Sequence, residues 1–414
     1  MFIEKILKES IIERDFYLNK IEKYHNTPLI KVLIGQRRVG KSTLLKSIIQ
    51  KMYSQNELKK ENILYINKEL PTFDHIHTYE DLKKEFKVFL TQTSTGKILV
   101  GIDEVQEIKN WEKFINGISA EYQENIEIYI TGSNSFLLSG ELATYLTGRY
   151  VEFHILPLSF QEFCIFKKDK ENRENFIEYL KYGGLPAIFK MHYEDEVIFP
   201  YLLGVYNTII VKDVIQHHEI RNVGFFKDLY RYSLGNIGSI ISGKSIKNYL
   251  KSQGISLGNE TVLNFLSYAL ETFILHKVYS VNPETKKYFE IYNKYYAGDL
   301  GIRNALTGYD FKRDIGKLIE NYVYLELQRY DYDVRIGRLK SGKEIDFIAT
   351  KNGITKYFQV CYLLGSEDTI EREYSSLKEV SDNWEKYVVS FDEIDFGNHD
   401  GIRHVNVMNM CEVL

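Results

Sequence analysis

Cysteine is scarce in this chain of 414 residues: Cys164, Cys361 and Cys411 are the three present, far apart and odd in number. That argues against a disulfide framework and for a reducing compartment. An excess of charge of one sign is lacking as well. The formal net charge is -4, so no global basic field calls for nucleic acid, although the average over domains conceals any local basic face. Long apolar runs are missing. The longest uncharged stretch, residues 197–211, contains Pro200, Gly204 and Asn207 and falls short of the roughly 20 residues that a membrane helix needs. The N-terminus, MFIEKILKESIIERDF, is too charged for a secretory signal. No Cys/His spacing of the metal-binding kind occurs, and His217-His218 is expected as a solvated helix pair. There are no internal repeats and no low-complexity tract. These absences lead to the expectation of a cytoplasmic protein without a membrane segment.

What is present is an alternation. Apolar strands are expected at 29–34, 63–66, 98–102, 126–130 and 151–155, with helical patterns between most of them, as around 42–52 and 111–122. Strands separated by helices imply a parallel sheet covered by helices. This first unit, 1–157, is followed by a nearly all-helical stretch, 158–291, and by a third region, 292–414, with an aromatic strand-like run, a helix at 316–330 and three short strands. The fold class is therefore α/β.

Gly35-Gln36-Arg37-Arg38-Val39-Gly40-Lys41-Ser42 fits G-x-x-x-x-G-K-[ST] at every fixed position, after a strand and before a helix that continues with Thr43. The two glycines let the backbone curl so that N–H groups meet phosphate oxygens, and the helix adds its positive end. Lys41 is expected at the β- and γ-phosphates of ATP, and the Ser42 hydroxyl on Mg²⁺. Some sixty residues on, Ile98-Leu99-Val100-Gly101-Ile102-Asp103-Glu104 delivers two carboxylates at a strand's C-terminal end, where ligands bind in parallel α/β sheets. Asp103 is expected to hold Mg²⁺ and Glu104 to orient and deprotonate the attacking water. At the tip of the next strand Asn134 is the first choice, and Ser133 the second, for a bond to the γ-phosphate or the water. Arg149 is a candidate cation for the transition state, in cis or from a neighbouring subunit.

The chain resembles the AAA-type ATPases of bacteria and archaea that carry a C-terminal domain of unknown function. The resemblance rests on GQRRVGKSTLL, ILVGIDEVQEI, ITGSNSFLLSGELATYLTGRYVEFHILPLSFQEF, YGGLPAI, IVKDVIQHHEIRN and SGKEIDFIATKNG followed by YFQVCY. It spans nearly the whole chain and implies an AAA-like core, a winged-helix region and a C-terminal fold related to restriction-type nucleases.

In the middle region, helices are expected at 233–241, 245–252 and 259–275, and strands at 279–282 and 287–291 are expected to pair across Pro283-Glu284-Thr285 as a wing. Lys244, Lys247, Lys251, Lys286 and Lys287 are the candidate phosphate contacts, while the recognition-helix position offers no arginine for base reading. In the last region Asn352-Gly353 marks a hairpin. Counting outward, Lys351 pairs with Ile354, Asp346 faces Gln359 and Glu344 faces Cys361, all four of these last on one face. With Glu320 from the preceding helix this is similar to PD-(D/E)xK nucleases, whose two acids and lysine hold Mg²⁺ and water. Gln359-Val360-Cys361 stands where the second acid and the lysine belong. Lys343 and Lys356 fall on the opposite face, and Lys317 is the nearest substitute the sequence offers. The expectation is a degenerate nuclease fold with a vestigial metal face at Glu320, Asp346 and Gln359. The functional expectation is an Mg-ATP-hydrolysing P-loop protein coupled to a DNA- or protein-binding C-terminal half. A non-catalytic nucleotide switch and an ATP-regulated nuclease are the alternatives.

Overall fold

The computed structural model describes residues 2–134, 146, 148–215, 218, 220, 223–252, 254, 258–285 and 287–414. Lys286, His217 and most of 135–147 lie outside the described residues, as does the Lys244 side chain. Two compact units, Met1–Ile155 and Leu156–Leu414, make up the chain.

The first unit is built on five parallel strands: β1 (Ile30–Ile34), β2 (Ile63–Asn67), β3 (Ile98–Asp103), β4 (Ile126–Gly132) and β5 (Tyr150–His154), in the order β2-β3-β4-β1-β5. Every residue of β1 to β4 is buried, because helices cover both faces of a parallel sheet. The expected strand pattern is thus present to within a residue or two at each end. Helices Lys41–Ser54, Tyr79–Leu90 and Trp111–Tyr122 form the crossovers. One buried charge here meets another. Lys31 on β1 meets Glu127 on β4 at 2.6 Å, and the Asn26 N–H donates to the other Glu127 oxygen at 2.7 Å, which satisfies a carboxylate that burial alone would penalise.

The second unit opens with helices Phe160–Lys167, Arg173–Tyr182 and Asp195–Thr208, the last running on as a π-helical turn, Ile209–Ile215. The span Asp195–Ile215 is, by length and composition, long and apolar enough to cross a membrane, which the uncharged stretch alone did not suggest. It sits in a packed unit: Ile198, Leu202, Val205 and Tyr206 are buried. Gly301 approaches it so closely that a Cβ there would lie 3.0 Å from Leu202 Cδ1 and 2.0 Å from the Tyr182 carbonyl oxygen. His218 is not solvated as expected; its Nε2 lies 2.7 Å from Glu271 Oε2 and its ring stacks on Tyr268 at 3.6 Å.

Helices Val223–Gly235, Gly243–Ser252 and Asn259–Glu271 follow. The first ends before the expected 241, because 238–241 instead hydrogen-bonds to a strand through Gly238 N–H to Tyr295 O and Ile241 N–H to Asn293 O, both 3.0 Å. Ser242 and Ser245 cap the second reciprocally, side chain to N–H. Then comes an eight-stranded sheet of β6 (Leu275–Val281), β7 (Tyr288–Ala297), β8 (Asp333–Arg338), β9 (Glu344–Lys351), β10 (Ile354–Val360), β11 (Glu385–Ser390), β12 (Asn398–His399) and β13 (Ile402–Asn406), ordered β12-β13-β11-β10-β9-β8-β6-β7. The strands expected as a free wing do form a hairpin, β6 and β7, but β6 also pairs in parallel with β8. The hairpin is therefore the edge of this sheet, and the domain boundary expected at 291 runs through β7. Helices Leu300–Thr307 and Phe311–Arg329 make the crossover from β7 to β8. The Asn352-Gly353 hairpin has the expected register, Lys351 opposite Ile354 and Phe347 opposite Phe358.

Candidate functional site

Between the end of β1 at Ile34 and the helix starting at Lys41, the chain curls through residues that only special backbone angles allow. Gly35 has φ 150°, and a Cβ there would meet the Ile155 carbonyl oxygen at 2.1 Å. Gly40 has φ 97° and even Arg38 is left-handed, at 73°. Arg14, itself buried, donates from Nη1 to the Val39 carbonyl at 3.0 Å and pins the loop from outside. Lys41 is folded inward. Its ammonium donates to the Gly35 and Gln36 carbonyls at 2.9 and 3.1 Å and stands 4.0 Å from Glu104 Oε1. Arg37 reaches Glu69 at 3.2 Å, while Arg38 and Thr43 are exposed.

β3 delivers Asp103 to the same end of the sheet. Its carboxylate accepts from Thr131 Oγ1, from Asn67 Nδ2 at 2.9 Å and from the Tyr65 hydroxyl at 3.1 Å. Burial raises its pKa; hydrogen bonds from Ser42 and Thr131 work against that rise. Glu104 follows in a left-handed conformation, φ 56°, strain of the kind found at functional sites. Its N–H donates to Thr131 Oγ1 at 3.0 Å, and its carboxylate accepts from Gln106 Nε2 at 2.5 Å and Ser133 Oγ at 2.9 Å. Burial acts to raise the Glu104 pKa, but the Lys41 and Arg37 charges, with the Gln106 and Ser133 bonds, outweigh it and hold the group below its usual value.

Lys41, Ser42, Asp103 and Glu104 are thus brought together. Of the two candidates after β4, Ser133 donates to Glu104, and Asn134 is buried. Arg149 is a correction for the cis role. Tyr150 pairs with Ile30, and the Arg149 carbonyl accepts from the Ile30 N–H at 2.9 Å, so Arg149 lies at the start of β1. The phosphate loop leaves from the other end, ~13 Å away at ~3.3 Å per residue.

The residues fit a nucleotide with its metal. The Gln36 side-chain amide is 2% exposed, and neither its nitrogen nor its oxygen has a hydrogen-bond partner, an orphan that a polar ligand would satisfy. Ser42 and Asp103 supply the hard oxygen donors that suit Mg²⁺.

The second unit holds another charged cluster. Lys294 on β7, 5% exposed, places its ammonium 3.1 Å from Glu320, 2.5 Å from Glu344 and 3.5 Å from Asp346. The Tyr296 hydroxyl donates to Glu320 at 2.7 Å, and the Val360 N–H to Asp346 at 2.8 Å. Burial, followed by the Glu320 charge, pushes the Asp346 pKa up. Two expectations change here. The cation at this face is Lys294, not Lys317. Gln359 is not part of the cluster, since its amide donates to Glu373 at 3.0 Å and accepts from Ser376 at 3.2 Å. Lys343 and Lys356 are engaged elsewhere, with Glu379 and with the Val413 carbonyl.

Sequence reasoning missed Arg14, Asn67, Thr131 and Gln106, which act on the phosphate-site residues from separate elements. Lys294 had a usable signal: a lysine inside the aromatic run Tyr292-Asn293-Lys294-Tyr295-Tyr296 requires a buried counter-charge.

A family described as an AAA domain matches residues 27–164. A second, described as a domain of unknown function (DUF8612), matches 173–313. An uncharacterized protein of Haemophilus influenzae is 33% identical over 408 residues, covering 97% of this chain and 99% of its own. One of Methanocaldococcus jannaschii is 31% identical over 398 residues, covering 90% and 85%. Among solved structures, the Walker-type ATPase of Pyrococcus abyssi superposes with a TM-score of 0.50 at 19% identity, over 72% of this chain and 97% of that one; this likeness is one of fold.

Proposed function

Since the chain belongs to the family of these Haemophilus influenzae and Methanocaldococcus jannaschii proteins and carries an AAA domain, we propose that it hydrolyses ATP with Mg²⁺. The observation that carries this reading is the convergence of Lys41, Ser42, Asp103 and Glu104 at one end of the parallel sheet, with Lys41 and Glu104 4.0 Å apart. Bound Mg-ATP would supply the γ-phosphoryl group whose transfer to water is the reaction. The chain's own residues do the rest. Lys41 exchanges the Gly35 and Gln36 carbonyls for phosphate oxygens, and the loop N–H groups and helix end complete the cradle. Ser42 and Asp103 would hold the metal, with Thr131, Asn67 and Tyr65 fixing the Asp103 carboxylate. Glu104, ionised at neutral pH, accepts the proton of the attacking water. Thr131 ties Asp103 to the Glu104 backbone, so the two carboxylates move as one.

The test is steady-state ATP turnover with nucleotide binding measured alongside. Lys41→Ala is expected to lose binding. Glu104→Gln is expected to bind and to lose turnover; a Glu104→Gln variant as fast as wild type removes Glu104 from the base role. A wild type that binds ATP and never hydrolyses it supports the nucleotide-switch alternative, which the bonds from Gln106 and Ser133 to Glu104 favour for the ligand-free state.

We assign the second unit to binding a nucleic acid or protein partner, placed in the cytoplasm with the rest. The cluster around Lys294 is structural: the lysine occupies the shared centre of the carboxylates, and Gln359 is turned away. No Mg²⁺- or Mn²⁺-dependent DNA cleavage is expected, and cleavage that Asp346→Ala abolishes would reverse this assignment.

A further inference from the structure

Most tyrosines of the second unit are buried, Tyr295 and Tyr296 among them, but Tyr279, Tyr288 and Tyr292 on the edge hairpin are 41%, 62% and 38% exposed. Each of the three rings carries a cation. Lys277 Nζ lies 4.5 Å from the Tyr279 centroid, and the Arg335 guanidinium lies 5.8 Å from Tyr279 and 5.6 Å from Tyr288. The Arg338 guanidinium lies 4.0 Å from Tyr292. The topology makes the Tyr279 and Tyr288 rings one surface, while Arg338, opposite Glu344, lies with Tyr292 on the other face of the sheet. β6 and β8 run parallel with Ser280 beside Ile336, so Tyr279 stands next to Arg335, and Tyr288 follows across the hairpin opposite Val281.

The cations are incompletely neutralised. Arg335 pairs with Asp333 at 2.9 Å, yet its Nε is buried without a partner. No described acid pairs with Lys277 or Arg338, and Lys287 at the hairpin tip is exposed. A locally basic, aromatic surface on a chain of net charge -4 is matched to a polyanion that also offers flat rings. Duplexes keep their base faces stacked inside. Single strands present them, and every base has a face for a tyrosine.

We propose that the face of β6-β7-β8 carrying Tyr279 and Tyr288 binds single-stranded nucleic acid, with bases stacking on these two rings and phosphates meeting Lys277, Arg335 and Lys287. This deepens the partner half of the function given above and does not depend on ATP hydrolysis.

The test is fluorescence anisotropy of the full chain, without nucleotide, against a labelled dT oligomer, an oligo-rA and a duplex of equal length. Single strands are expected to bind more tightly than the duplex. Each Tyr→Ala change at 279 or 288 is expected to weaken binding by roughly 5- to 150-fold, each Tyr→Phe to leave it intact, and Tyr292→Ala on the other face to leave it unchanged. Lys277→Gln with Arg335→Gln is expected to lower the slope of log affinity against log salt by about 1.4. Cross-linking of a 5-iodouridine oligomer to the wild type, mapped by mass spectrometry, needs no variant to fold and is expected at Tyr279 and Tyr288. Equal affinity for duplex and single strand with no response to Tyr→Ala, cross-links confined to other segments, or no binding at about 50 mM salt each overturn the proposal. So does a protein partner captured on Tyr279 and Tyr288 in the absence of nucleic-acid binding. Because nucleotide is omitted throughout, failure here leaves the turnover of wild type and Glu104→Gln to judge the ATPase reading separately.

Discussion

Replacing Lys294 by methionine removes one buried charge and leaves three carboxylates around an apolar chain of similar length. In the wild type the ammonium touches Glu320, Glu344 and Asp346 within 3.5 Å. Burial lowers the Lys294 pKa and the three carboxylates raise it by more, so its charge is firmly held. Breaking a buried ion cluster by deleting one partner costs about 3–5 kcal/mol, because the remaining charge is uncompensated. For a unit of this size each kcal/mol moves the melting temperature by about 2–4 °C, so Lys294→Met should lower it by roughly 6–20 °C. Differential scanning calorimetry and urea melts at neutral pH measure this. The loss should shrink toward acid pH, where Asp346, whose pKa burial and the Glu320 charge raise, takes up a proton and sheds its repulsion. Adding Glu320→Gln, Glu344→Gln and Asp346→Asn to Lys294→Met should recover most of it, since an uncharged set of similar volume is often as stable as a buried ion pair. A change below about 1 kcal/mol in the single variant, the range of exposed pairs, would refute the reasoning and show that the cluster is solvated.

Asp299, buried, accepts from the Ile302 N–H at 2.8 Å and the Gly184 N–H at 2.9 Å, and burial raises its carboxyl to about 6 from 3.8. Between those values the folded state keeps a proton that the unfolded state has lost, so stability should fall as pH rises through the window, by about 3 kcal/mol. Asp299→Asn should flatten that slope in urea midpoints taken at intervals across it; an unchanged slope counts against the assignment. Arg149, excluded from the site in cis, should act only across subunits. Mixing Arg149→Ala with Glu104→Gln should then regain turnover that neither has alone, and no recovery on mixing would end the role. Arg14→Met should free the Val39 carbonyl, weaken nucleotide affinity more than kcat and cost about 1.5–3 kcal/mol of stability; isothermal titration and turnover separate these effects.

The parallel sheet and the phosphate loop were legible in the sequence because both are local. Buried parallel strands read as apolar runs, and Gly35 and Gly40 mark backbone angles that few residues tolerate. The Asn352-Gly353 turn gave its register for the same reason. The site's support was not legible: Arg14, Asn67, Thr131 and Gln106 come from separate elements and meet only when strands β2, β3 and β4 align. Lys294 eluded a search along neighbouring strands because β7 is joined to the carboxylates through α-helical crossovers and two intervening strands, a pairing that no periodicity encodes.

The strand order of the large sheet also sets a clock. Each strand of the first unit's sheet has been made once residue 154 is out, whereas the second sheet runs from Leu275 to Asn406, and β11, two strands in from the β12 edge, pairs with the later strand β13. At ~5–20 residues per second the ribosome needs roughly 7–26 s to make that stretch. For the last part of that time β11 is an open edge carrying apolar side chains, a site where nascent chains on one messenger would pair with each other. Slow translation across 391–406 would lengthen this exposure, so yield on overexpression should respond to codon choice in those last residues more than anywhere in the first unit.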